Sequence, residues 1–186
     1  MGIIVLIVVI VLLALFLVSL YNRLVKMRNN RENAFADIDV QLRQRNDLIP
    51  QLVSTVKGYA EHERSLLERI TEARSALMNA PGINEKIQAD SQLTQALQGL
   101  RIQVEAYPDL KANQNFLHLQ TEISDIENKL AASRRYFNGA TRELNNSVES
   151  FPANLIAKNF GFTRQPMYEI PEEQRSTMEQ PPQINF

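Results

Sequence analysis

The chain of 186 residues carries 20 basic and 21 acidic side chains, two histidines, no cysteine and no tryptophan, and 44% of it is apolar. Without cysteine there is no disulfide framework, thiolate metal site, thiol nucleophile or lipid-modified cysteine anchor, and a formal net charge of −1 gives no basic footprint for nucleic acid. Residues 1–21 hold 19 apolar side chains and no charge, which leaves the other 165 residues about 38% apolar and 25% charged, enough for one slender domain.

Every residue from Ile3 to Val18 is apolar, and the charge-free stretch through Tyr21 reaches about 30 Å as a helix, enough to cross a bilayer. No basic segment precedes it and no small-x-small pair follows, so an uncleaved anchor is expected over residues 1–21 rather than a signal peptide. Arg23, Lys26, Arg28 and Arg31 follow the span before the first acid, Glu32. By the positive-inside rule this cluster places the body of the chain in the cytoplasm and the amino terminus outside. Tyr21 and the four cations are candidate membrane-interface residues, either in contact with anionic headgroups or simply solvated.

A heptad register then runs through Phe35, Leu42, Ile49, Val56, Glu63, Ile70 and Leu77, partnered by Ile38, Arg45, Leu52, Tyr59, Leu66, Ala73 and Ala80. It keeps phase through Pro50, which predicts one long helix over about 22–79, kinked or broken in phase at Pro50 and extending about 87 Å. Asn79-Ala80-Pro81-Gly82 ends it as a turn. A second helix is expected over 83–106, stopping at Tyr107-Pro108-Asp109. A third, over 110–150, repeats Phe116, Ile123, Leu130, Phe137, Leu144 and Phe151 every seventh residue. A short fourth follows Phe151-Pro152 over 153–160.

Residues 163–186 contain four of the eight prolines and too few apolar side chains to fold alone. The spacing of Met167, Tyr168, Ile170, Met178, Ile184 and Phe186 suits a tail lying extended on a partner. The expected fold is all-α: a transmembrane helix continuing into an elongated antiparallel bundle with coiled-coil-like helices over 22–162, then the extended tail.

Chemistry is sparse. Glu61-His62-Glu63 begins like a zinc-protease motif, but Leu66 stands where the second histidine belongs. The six glycines are too dispersed to cradle a phosphate, and Asp37 and Asp39 diverge on a helix by about 200°. No nucleophile has a base beside it. No enzyme activity, cofactor or metal is expected. Arg45 and Glu63 stand out because they occupy seam positions: they either find buried partners that fix register or oligomer state, or snorkel to water.

Six blocks together resemble the bacterial LemA family: Tyr21-Asn22-Arg23-Leu24-Val25, Asp37-Ile38-Asp39-Val40-Gln41-Leu42, Arg45-Asn46-Asp47-Leu48-Ile49-Pro50-Gln51-Leu52-Val53, Val56-Lys57-Gly58-Tyr59-Ala60-Glu61-His62-Glu63, Tyr107-Pro108-Asp109-Leu110-Lys111-Ala112-Asn113 and Phe151-Pro152-Ala153-Asn154. The resemblance extends from the anchor to about Phe162. Phe137-Asn138 departs from it, standing where the family pattern usually reads Tyr-Asn. It implies a single-pass inner-membrane protein with a helical soluble domain, no established enzymatic activity and no catalytic residues to transfer; a magnetosome member of the family points toward membrane organisation. The expectation is a non-enzymatic scaffold that self-associates through its heptad faces and organises or remodels the membrane. The alternative is a tethered adaptor or sensor presenting its bundle or tail to another membrane protein. Arg45, Asp47, Pro50, Glu63, Tyr107, Pro108, Asp109, Phe151 and Phe186 are the candidate structural or protomer-contact residues.

Overall fold

A computed structural model describes residues 1–168. The regular structure among them is entirely helical: α1 (Gly2–Lys57), a 3-10 turn (Glu61–Glu63), α2 (Arg64–Asn79), α3 (Ile83–Val104), the single-turn α4 (Pro108–Lys111), α5 (Gln114–Glu149) and α6 (Ala153–Asn159). They form two compact units. Among the described residues one comprises Met1–Val40 with Leu130–Met167, the other Gln41–Lys129 with Tyr168; α1 and α5 contribute to both. Phe186 and the apolar tail positions Ile170, Met178 and Ile184 lie outside the described residues.

In the first unit, α1 begins as the apolar span, with a mean hydropathy of 3.6 over 18 residues and none of that window buried. The same helix then turns one face inward through Leu24, Met27, Ala34, Phe35 and Ile38, the three-and-four spacing of a helix packed on one side. Leu130, Phe137, Ala140 and Leu144 of α5 are also buried, and the Phe35 and Phe137 rings meet edge-on with centroids 5.7 Å apart. α6 adds Ile156 and Ala157 to a cluster with Leu24. Gly161, at φ +74°, lets the chain reverse after α6 without the steric cost another residue would meet, and Phe162 returns to that cluster. Beyond it the Asn145 side chain acts like a neighbouring strand: its Oδ1 accepts from the Gln165 backbone N–H at 2.8 Å, and its Nδ2 donates to the Gln165 carbonyl at 2.9 Å.

In the second unit the expected helix over 22–79 does not run through. α1 ends at Lys57, and Gly58, Tyr59 and Ala60 turn the chain, with Ala60 at φ −129°, ψ 65°. α2 then returns far enough for Arg74 to reach Asn46. Periodicity could not reveal this reversal because it preserves phase: Val56, Ile70 and Leu77 of the predicted series are all buried, on either side of the turn. α2 and α3 pair closely about the Ala80–Gly82 turn, burying Leu67, Ile70 and Leu77 with Ala89, Leu93, Ala96 and Leu100. The third helix starts later than expected. Asn113 caps α5, its Oδ1 accepting from the Phe116 N–H at 3.0 Å, which satisfies one of the open donors of the first turn.

Pro50 lies within α1 and the helix continues through it. Proline has no N–H to offer the carbonyl four residues earlier, and that carbonyl belongs to Asn46. Arg74 supplies the missing donor, its Nε donating to the Asn46 carbonyl oxygen at 2.9 Å. A hydrogen bond lost within α1 is thereby replaced by one that ties α2 to it. Arg74→Met is therefore expected to cost about 1–3 kcal/mol, the penalty for a stranded buried acceptor. The cost should nearly vanish in a Pro50→Ala background, where the substituted residue brings its own backbone N–H. A double-mutant cycle from denaturant melts in detergent checks this, and equal costs in the two backgrounds would refute it.

Candidate functional site

Arg45 projects from α1 into the second unit with a relative exposure of 0%, so the reading in which it reaches water is overturned. Its Nη2 pairs with Asp90 Oδ1 of α3 and its Nη1 with Glu127 Oε1 of α5, while Nη1 also donates to Thr94 Oγ1 at 3.2 Å. Asp90 is buried to 1% exposure, and its second oxygen accepts from the hydroxyl of Tyr168. Burial opposes the charge on Arg45, but Asp90 and then Glu127 outweigh it, so its pKa is raised and the guanidinium stays charged. One cation thus joins two helices to α1, and Tyr168 joins the carboxy-terminal segment to the same carboxylate. Asn46, also buried, leaves its side-chain Oδ1 without a hydrogen-bond partner beside this centre.

Sequence reasoning found Arg45 and missed Asp90, Thr94, Glu127 and Tyr168. A signal existed for two of them. The α3 register through Ile83, Ile87, Leu97 and Val104 passes through Asp90 and Thr94, so a carboxylate and a hydroxyl occupy seam positions that face a seam arginine.

At one end of the same unit the two chain reversals meet. Tyr107 donates its hydroxyl to Glu63 Oε1 at 3.2 Å, and Asn113 Nδ2 donates to the Tyr59 hydroxyl at 2.9 Å. Glu63 is therefore neither fully buried nor unpartnered. Partial burial of the ring, and then the Glu63 carboxylate, hold the Tyr107 phenol above its ordinary pKa. Pro108 and Asp109 are exposed in the same turn, as are Asp47 and Pro50 on α1. A groove of about 560 Å³ runs between α3 and α5, with Leu97, Leu100, Val104, Phe116 and Ile123 along it and Thr94 and Glu127 of the arginine centre at its edge. His62 and His118 are both exposed. Among the described residues no group of three or more His, Cys, Asp or Glu side chains converges to hold a metal.

The membrane-interface candidates lie in the first unit and divide. Arg23, Lys26 and Arg28 are exposed, with Arg28 over the Phe162 ring at 5.3 Å. Arg31 is not a headgroup ligand: it is 5% exposed, donates from Nε to Thr141 Oγ1 at 3.2 Å, and lies 4.8 Å from the centroid of Phe137, a cation–π distance. Burial lowers its pKa, partly offset by Glu32. The Phe137 ring stands between Arg31 and Phe35, fully buried, so the packing here is satisfied by a ring without a hydroxyl. Tyr21 packs on Phe160 and Phe162, centroids 5.0 and 5.9 Å away. Phe151 is 80% exposed.

Comparison with known proteins matches residues 34–186 to the LemA family. Protein LemA of Metamycoplasma hominis is 28% identical over 155 residues, covering 83% of this chain and 71% of the relative. Magnetosome protein MamQ of Magnetospirillum gryphiswaldense is 24% identical over 170 residues, covering 77% of this chain and 62% of its own length. Magnetosome protein MamQ 2 of Paramagnetospirillum magneticum matches to the same extent. The chain thus spans less than two thirds of the MamQ proteins.

Removing Arg45 strands the Asp90 carboxylate in the interior. Arg45→Met is expected to destabilise the protein by about 3–5 kcal/mol, whereas replacing Arg45 and Asp90 together by apolar residues should recover most of that loss. Thermal melts of the single and double variants in detergent test it; a double variant as unstable as Arg45→Met would show that the ion pair is not what is lost.

Proposed function

From the premise that this chain belongs to the LemA family, we propose that it is a non-enzymatic scaffold, a membrane-anchored bacterial protein whose copies associate to organise the membrane around them. The observation that carries this reading is the continuity of α1. The apolar span and the packed segment Leu24–Ile38 are one helix without a linker, so the first unit cannot swivel freely about its anchor. Forces between copies are then transmitted to the bilayer through that helix. The names of the MamQ relatives place those proteins at the magnetosome, which supports a role connected with membrane organisation.

On this reading copies meet through surfaces other than the heptad faces expected from the sequence. Phe35, Leu42, Ile49, Leu130, Phe137 and Leu144 are already buried within one chain. The surfaces free for a second copy include the exposed turn at Pro108 and Asp109. With Arg23, Lys26 and Arg28 following the span, the body of the chain lies on the cytoplasmic side. A second reading, a tethered adaptor, draws on the α3–α5 groove, whose apolar floor and polar edge fit a segment of another membrane protein.

Three outcomes are expected. An Asp109→Cys variant, the sole cysteine in the chain, should form disulfide-linked dimers in native membranes under mild oxidation. A membrane-impermeant maleimide should label it only after the cells are opened. Protein that sediments as a monomer in detergent at every concentration and never crosslinks would overturn the scaffold reading. Truncation after Tyr168, which spares its bond to Asp90, should chiefly alter oligomer size for a scaffold, whereas loss of partner capture with oligomer size unchanged would favour the adaptor.

A further inference from the structure

The end of the apolar span carries a second apolar surface. Ile156 and Ala157 of α6 pack on Leu24, with Leu20 and Val25 beside them, and the Tyr21 ring packs tilted against Phe160. This fixes α6 and its flanks to α1 at the end of the charge-free stretch and the turn that follows it. Three large apolar side chains of this segment are bare: Phe151, Leu155 and Phe160 are exposed to 80%, 61% and 63%. Three large apolar groups left in water forgo the gain of burial, and their concentration on one short segment marks a contact surface.

Its position says what covers it. A span of about 20 helical residues fills about 30 Å of hydrocarbon, so Leu20 and Tyr21 emerge at headgroup depth. Whatever packs laterally on them lies at that depth too. Arg23, Lys26, Arg28 and Lys158 are exposed in the same neighbourhood, on the side of the anchor where lipid phosphates stand. We propose that α6 with Phe151 and Phe160 is an interfacial foot, which inserts those side chains into the boundary between headgroups and acyl chains while the surrounding cations meet phosphate. The foot sets the rotation and tilt of the first unit on the bilayer, which a single span alone leaves free. It rests on α1 crossing a membrane, and not on the association of copies.

The chain has no tryptophan, so one introduced tryptophan is a clean reporter. Leu155→Trp and Phe160→Trp, each in the full chain reconstituted into phosphatidylcholine–phosphatidylglycerol vesicles, are compared with Leu17→Trp in the span and Tyr59→Trp in the second unit. Both foot reporters should show blue-shifted emission and be quenched about twofold by lipids brominated near the headgroup, as interfacial side chains are, while Tyr59→Trp is unaffected. Quenching at Leu17→Trp without quenching at either foot position would overturn the foot and leave the span intact. Loss of quenching at Leu17→Trp as well would remove the span and the foot with it. Blue-shifted foot reporters that brominated lipid does not quench would show that protein, such as a second copy, covers the patch, and would also overturn the proposal.

Discussion

A guanidinium withdrawn from water must have its charge answered inside the protein, and in the second unit three helices and the carboxy-terminal segment are arranged around that requirement. Arg45 meets Asp90 and Glu127, and Asp90 accepts a further bond from Tyr168. Apolar seams tolerate slippage by a heptad, because one leucine resembles the next. A charge does not: shifting any of these elements by one turn would leave an ion buried alone, at a cost larger than the hydrophobic contacts it would gain. The centre therefore sets the register in which the surrounding leucines and isoleucines pack.

The first unit solves a related problem with weaker means. Arg31 is buried by a hydroxyl, a backbone carbonyl and an aromatic face, and its pKa is lowered where that of Arg45 is raised. Both arginines sit on α1, beyond the apolar span. One helix thus serves as membrane anchor, as core element and as carrier of both Arg31 and Arg45.

The fold was legible where a single physical pattern repeats. The apolar run of residues 3–18, the seven-residue repeat from Phe116 to Leu144 and the proline-glycine turn at residues 80–82 each announce a helix or its end locally. Features that depend on three-dimensional return were not legible. The reversal at Gly58 keeps the heptad phase, so two antiparallel helices read as one. Arg31 looked like its neighbours Arg23, Lys26 and Arg28, since only the placement of Thr141 and Phe137, more than a hundred residues later, distinguishes it. For the candidate site, a charge in an apolar seam was visible at Arg45, but the rest of its centre comes from three other segments: α3, α5 and the stretch that carries Tyr168. Asp90 and Thr94 left a trace in their own register; Glu127 and Tyr168 left none.

The bond from Tyr168 to Asp90 also bears on how the molecule comes into being. The amino-terminal span is made first and enters the membrane while most of the chain is still to be synthesised. Neither unit can be completed then, because one needs Phe137 and Ile156 and the other needs Glu127 and Tyr168. At common rates of translation the interval is on the order of ten seconds. During that time the nascent helix carries Arg31 and Arg45 with their final partners not yet made, and the two cations remain hydrated until the segment with Pro166 and Tyr168 closes over them.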